Sequence, residues 1–198
     1  RFWSFQPLRS PQTPEVKNQA WCRTPLDRFI LTKLDEDKIA PNAAADRRKL
    51  IRRAYLDLIG LPPAAEVVES FVNDPDPHAW ERVVDRLLAS PEYGERWARH
   101  WLDLARFAES HGYEHDYDRP NAYHYRDFVI RALNSDMPYD RFVRLQIAGD
   151  ELEPQNPEAL LATGYLAAGT HSTQITVATA EKERYDELDD MVSSLGTS

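Results

Sequence analysis

The sequence contains a single cysteine, Cys22, among 198 residues. One thiol cannot form an internal disulfide, and it cannot supply a multi-cysteine metal site or the CxxCH segment that attaches haem c. No run of residues approaches the ~20 consecutive apolar positions of a membrane helix, so we expect no membrane span in this stretch. GxGxxG, GxSxG and P-loop patterns are also missing, which removes the common signatures of nucleotide-binding domains and serine hydrolases.

Positive charge is scarce, because 24 Lys and Arg stand against 33 Asp and Glu and give a formal net charge of −9. Nucleic-acid binders concentrate basic residues on one face. The one basic cluster, residues 47–53, is predicted to be helical, and its side chains spread around that helix. We therefore expect a solvated or ion-paired face and no nucleic-acid partner.

Strand patterns are nearly absent, and the best of them, Gln174–Val177, is too short and isolated to support a sheet. Apolar residues instead recur at helical spacing from residue 26 onward. The opening to about Ala20 carries Pro7, Pro11 and Pro14 and shows little periodicity. The sequence predicts an all-α, irregular multi-helix domain over 21–198, with an extended proline-rich N-terminal arm over 1–20.

Capping signals give the expected helix ends. A cap residue followed by proline predicts helix starts at Thr24-Pro25 and Ser90-Pro91. Asp46 is expected to begin a helix that Gly60 ends. Asp136 is expected to cap a helix that Pro138 opens and Gly149 closes. The last two helices are expected over Pro157 to about Ala168 and about Ala178 to Ser194.

The polar loop from Glu109 to Arg119 contains two histidines, His111 and His115, among several carboxylates. These residue types bind Zn, Mn or Fe, but their spacing matches no strong metal signature, so no metal site is predicted. Carboxylates such as Glu114, Asp116 and Asp150 also allow a hydrolase pair, although such candidates are common in any polar loop.

Arg126 and Asp127 are adjacent, so on a helix they point in different directions and are not expected to pair with each other. Two interpretations of Arg126 stay open. In the first, it binds carbonyl groups or a carboxylate inside a structural network. In the second, Arg106 and Arg126 together hold an anionic group such as a haem propionate. His171 lies in a loop from which it can reach a metal or a haem.

Several long motifs resemble a domain of unknown function that is abundant in planctomycetes and related bacteria. The matching segments cover nearly the whole chain and are residues 46–53, 57–63, 85–97, 100–106, 112–114 with 116, 125–127, 134 with 136–140, and 146–150. Within the polar loop the resemblance includes Gly112, Tyr113, Glu114 and Asp116, whereas His111 and His115 fall where variable residues are expected.

The resemblance implies an exported, periplasmic or otherwise extracytoplasmic protein that carries a cytochrome c module. It also implies that a CxxCH-type segment follows the stretch resembled by residues 186–192, whereas this chain stops at Ser198. The expected cofactor is therefore haem c attached outside this stretch, and the expected partners are other domains of the same polypeptide or a redox partner. The expected cofactor-binding residues are Arg106, Tyr113, Asp116, Arg126, Asp127 and His171.

The leading functional hypothesis is electron transfer or a haem-dependent oxidoreductase step, with this module shaping the surroundings of the haem. One alternative is a structural or carbohydrate-interaction module without catalysis. Another is a hydrolase that uses the loop carboxylates. The sequence names neither a substrate nor a reaction.

Overall fold

The computed structural model describes residues 2–112 and 115–198, and within them the regular structure is helical, without strands. The α-helices are α1 (Pro25–Glu36), α2 (Arg47–Leu58), α3 (Ala65–Asn73), α4 (Ala79–Leu88), α5 (Pro91–Leu104), α6 (Tyr123–Asn134), α7 (Tyr139–Leu152), α8 (Pro157–Ala162) and α9 (Ala180–Thr197). Short 3₁₀ helices cover Trp3–Phe5, Gln19–Trp21 and Thr163–Tyr165. The predicted all-α class is confirmed.

The contacts within the chain divide it into two compact units. The first unit ends at Ala45 and the second unit is Asp46–Ser198. The first unit contains α1, which begins where the sequence predicted. The backbone N–H of Thr24 donates to Oδ2 of Asp27 at 2.7 Å and forms part of a capping box. The helical domain predicted over 21–198 includes parts of both units, and its boundaries stay a prediction.

In the second unit, α2, α3 and α4 pack around a small apolar cluster. Asp46 caps α2 by accepting the N–H of Lys49 at 2.9 Å, as predicted. Gly60 follows the helix with a φ of 75°. The buried members of this α2–α4 cluster are Ile51, Ala54, Phe71, Ala79, Val83 and Leu87.

A larger apolar cluster joins α5, α6, α7 and α8. Phe128 and Phe142 stack at its centre, with ring centroids 5.9 Å apart. The buried members of this α5–α8 cluster are Ala98, Ala105, Tyr125, Phe128, Val129, Ala132, Phe142, Leu145, Ala159, Ala162, Tyr165 and Ala168.

Three predicted helix details are wrong. Asp136 does not cap α7, because it has a φ of 50° and α7 begins at Tyr139 with Pro138 as its cap residue. Gly149 does not close α7, since the backbone breaks at Ala148 and the helix then continues to Leu152. The helix from Pro157 stops at Ala162 and is followed by the 3₁₀ turn, so it does not reach Ala168.

No helix in the described part of the chain is long and apolar enough to cross a membrane.

Candidate functional site

A groove of about 770 Å³ lies in the second unit. It lies between the segment after α5, the stretch from α8 to residue 171, and α9. This volume falls within the range of ligand sites, which are mainly apolar and carry a few polar groups. The apolar lining includes Phe107, Leu160, Leu161, Leu166, Ala167 and Met191.

Two histidines from different segments meet at one end of the groove. The rings of His111 and His171 have centroids 5.7 Å apart, and both residues line the cavity. His171 hydrogen-bonds through Nδ1 to Oε1 of Glu187 in α9. A carboxylate can only accept, so Nδ1 of a neutral imidazole carries the proton and Nε2 keeps its lone pair. The sequence points to His171 as a candidate ligand, whereas it predicts a variable residue at position 111.

Arg119 links His111 to the segment that precedes His171. Its Nε donates to Nδ1 of His111 at 3.5 Å. Its Nη atoms donate to the carbonyl oxygens of Ala167, Ala168 and Gly169 at 3.2, 3.4 and 2.9 Å. Burial lowers the pKa of this guanidinium. The side chain therefore fixes the segment that carries His171, since it satisfies carbonyls that follow the 3₁₀ turn.

Arg106 anchors α9 along the same groove. Arg106, the second residue after α5, has a φ of 56°, which turns the chain away from the helix axis. Its Nη1 pairs with Oδ1 of Asp190, a groove-lining residue of α9. A Cβ built on Gly169 would lie 2.6 Å from Oδ2 of Asp190 and 2.9 Å from Nη2 of Arg106. The loop backbone thus lies directly against the ion pair.

Arg126 and Asp127 lie outside the groove lining and pair with each other. The Arg126 Nε donates to Oδ1 of Asp127 at 3.0 Å, and its Nη1 donates to Oε1 of Glu109 at 2.7 Å. The expectation that the two neighbours do not pair is therefore wrong, because the long arginine side chain folds back beside its own helix. The interpretation of Arg126 as a partner of a carboxylate is confirmed.

Asp116 closes a turn of the polar loop. Its Oδ1 accepts the backbone N–H of Gly112 at 2.8 Å. Hydrogen bonds from the Ser110 side chain and from this N–H lower the pKa of Asp116. Asp116 is therefore ionised near neutral pH and is not a proton donor there. Tyr113 and Glu114 lie outside the described residues.

Residues 25–198 match PSCyt2, a family described as a protein of unknown function (DUF1549). The chain belongs to the PSCyt2 family. No curated protein and no solved structure matches it. All the groove residues described above lie inside the matched PSCyt2 range, and the family description assigns none of them a role.

The site of this PSCyt2 chain contains residues that sequence reasoning missed. Glu187, Asp190 and Arg119 were not among the candidates, although each binds a groove residue or a groove wall. Asp190 is 84 positions from Arg106, so no local spacing predicts their pairing. The one available signal was periodicity, because positions 187, 190 and 194 share one side of α9.

No group of three or more His, Cys, Asp or Glu residues able to hold a metal ion occurs within ranges 2–112 and 115–198.

Proposed function

We propose that this chain is a helical module of an exported c-type cytochrome protein, in which it takes part in electron transfer or in a haem-dependent oxidoreductase step. The observation that carries the proposal is membership of PSCyt2 over residues 25–198. The family name hints at a cytochrome, and the motifs in the same stretch resemble a cytochrome-associated domain.

The chemistry of the groove fits a haem that is attached elsewhere. Because Cys22 is the only cysteine, this chain cannot form both thioether bonds of a CxxCH-attached haem. His171 has the arrangement typical of a metal-binding histidine, with one ring nitrogen held by a carboxylate and the other left available. His171 would hold the iron through Nε2, and the apolar lining would exclude water. When bound, the haem supplies reversible one-electron transfer.

Arg106 and Arg126 are less clearly suited to binding a haem propionate than His171 is to binding the iron. Arg106 pairs with Asp190, and Arg126 pairs with Glu109 and Asp127. A propionate would have to share or displace these carboxylates. Arg106 is the better placed of the two arginines, because its partner Asp190 lines the groove.

The proposal is tested by the visible absorption spectrum of the full-length native protein, purified from cells that mature c-type cytochromes. We expect a Soret band that shifts on reduction with dithionite. The His171→Ala variant should move the band or the reduction potential, because the residue that would hold the iron is a main determinant of both. The matched control is His78→Ala, which removes a histidine just before α4. A full-length protein without a Soret band contradicts the proposal.

The propionate role of the arginines needs its own measurement. The reduction potentials of folded, haem-loaded Arg106→Ala and Arg126→Ala variants are compared with that of the native protein. A shift for Arg106 alone supports contact at the groove. Unchanged potentials for both variants exclude the propionate role while leaving the haem assignment intact.

A structural module without catalysis is the second candidate. It is favoured by the fact that Arg106, Asp116, Arg126 and Asp127 all bond to other groups of the chain. On this account Arg106→Ala lowers the melting temperature and leaves the spectrum and potential of the full-length protein unchanged. The loop-carboxylate hydrolase gains no support, since the bound Asp116 is a poor proton donor.

A further inference from the structure

Helix α9 has two different faces. Its inward face is bound to the rest of the second unit through Glu187 to His171, Asp190 to Arg106 and the Ser198 hydroxyl to the Tyr165 hydroxyl at 2.8 Å. Ser194 on this face is buried. The helix is thus held in place before any partner binds.

The outward face carries an apolar stripe whose members all remain exposed. The stripe consists of Tyr185, Leu188, Val192 and Leu195, which are 63%, 45%, 68% and 41% exposed. Leu195 also borders a cavity of about 140 Å³ beside Tyr139 and Ile147 of α7. Those two side chains are 65% and 41% exposed, so the apolar surface continues past the helix.

The spacing of the stripe is that of a coiled-coil seam. Steps of three, four and three residues separate its members, which is the alternation of core positions in a heptad repeat. A solvated helix face normally carries polar side chains at such positions. The stripe is therefore better suited to packing against another helix than to exposure to solvent.

The charged residues beside the stripe favour a second copy of this chain as the partner. Arg184 precedes the first core position and Asp189 follows the second, and both are exposed. In a parallel pair of identical helices, the residue before one core position faces the residue after the next core position on the other chain. Arg184 then faces the partner's Asp189, and twofold symmetry makes the contact twice.

We propose that the outward face of α9 is a self-association surface, on which a second copy of the protein docks its own α9 in parallel. Four apolar layers bury roughly 1,000 Å² in total, which is the low end for specific interfaces. Isolated helices of this length are marginal in water, but here the domain already orders the helix. An interface of this size is typical of weak complexes, so we expect a dimer with a dissociation constant on the order of micromolar.

Sedimentation velocity of the protein, from about 1 to about 200 µM, measures this association across the expected constant. The expected result is a monomer at the low end and a dimer at the high end. Leu188→Glu together with Val192→Glu should abolish the dimer, because four carboxylates would enter the seam. Circular dichroism and the melting temperature of this double variant show whether it is folded. The matched control is Ser193→Glu, which adds one charge on the polar side of α9.

A charge exchange tests the parallel pairing itself. Arg184→Glu alone and Asp189→Arg alone should each weaken association about fivefold, since two exposed ion pairs become repulsive. The double variant should restore it. A monomer at every concentration overturns the proposal, as does a dimer that the Leu188 and Val192 substitutions leave intact. Association that is unchanged by the single charge reversals excludes the parallel arrangement.

Discussion

At the residue scale, a small uncharged network lies inside the α5–α8 cluster. The indole Nε1 of Trp101 donates to the Tyr125 hydroxyl at 3.0 Å and to Oε1 of Gln146 at 2.8 Å. The Tyr125 hydroxyl donates to the same oxygen at 2.7 Å, and the Gln146 amide donates to the carbonyl of Phe142 at 3.1 Å. Burial raises the pKa of Tyr125, so the phenol stays protonated. The network links α5, α6 and α7 through directed bonds.

Replacing Gln146 with leucine should lower the free energy of unfolding by about 1–3 kcal/mol, because Tyr125 would keep a buried hydroxyl proton without an acceptor. Gln146 is 1% exposed, so solvent cannot replace the lost oxygen. Urea unfolding followed by circular dichroism measures the change.

Two further variants serve as a comparison and a control for this prediction. Tyr125→Phe should cost less than Gln146→Leu, since Trp101 still donates to Gln146 after the hydroxyl is removed. Tyr139→Phe, at a 65% exposed position, should cost almost nothing. A Gln146→Leu variant as stable as the Tyr139→Phe control would show that the network does not stabilise the fold.

At the element scale, α7 and α8 approach each other closely at Gly149. The break at Ala148 in α7 has φ −150° and ψ 35°, and Gly149 follows it. A Cβ built on Gly149 would lie 2.2 Å from the carbonyl oxygen of Ala159 and 2.9 Å from its carbonyl carbon. Gly149 is therefore required for close backbone approach, whereas its sequence context had suggested a helix cap.

Gly149→Ala should destabilise the protein by about 2–4 kcal/mol, because a methyl group would collide with backbone that no side-chain rotation can move. Thermal unfolding measures the loss. Gly196→Ala is the matched control, since a Cβ there meets nothing within 4 Å. At a helical position the added methyl should stabilise by up to about 1 kcal/mol. Equal losses for both variants would contradict the close approach of α7 and α8.

At the scale of the whole molecule, the second unit is held by the α2–α4 and α5–α8 clusters rather than by one continuous core. Phe71 in the smaller cluster is 5% exposed, and the guanidinium carbon of Arg47 lies 4.3 Å from its ring centroid. Phe128 in the larger cluster is 1% exposed. Separate clusters allow local opening of one part while the other stays folded.

Hydrogen exchange measured by mass spectrometry should therefore become faster in different regions for two phenylalanine substitutions. Phe71→Ala is expected to speed exchange in α2, α3 and α4, and Phe128→Ala in α5 to α8, because each leaves a cavity in one cluster. A uniform increase over the second unit in both variants would show that the clusters unfold as one.

Several helix starts could be predicted from the sequence, because their causes are local. Asp46 caps the amide of Lys49, three residues later, and Pro91 fits only the first turn of a helix. Local sequence patterns gave wrong predictions where contacts between distant segments determine the role of a residue. Gly149 resembles a cap, but the approach of α8 decides its role.

The helical class, the acidity and the lack of a cysteine pair for haem attachment follow from the sequence alone, since each depends on residue type or on neighbours within a few positions. Which candidate residues meet depends on the packing of the helices. It placed His171 beside His111 and Glu187, joined Arg106 to Asp190, and left Arg126 outside the groove. These contacts depend on how the helices pack, because segments far apart in the chain come together only when their apolar faces are buried.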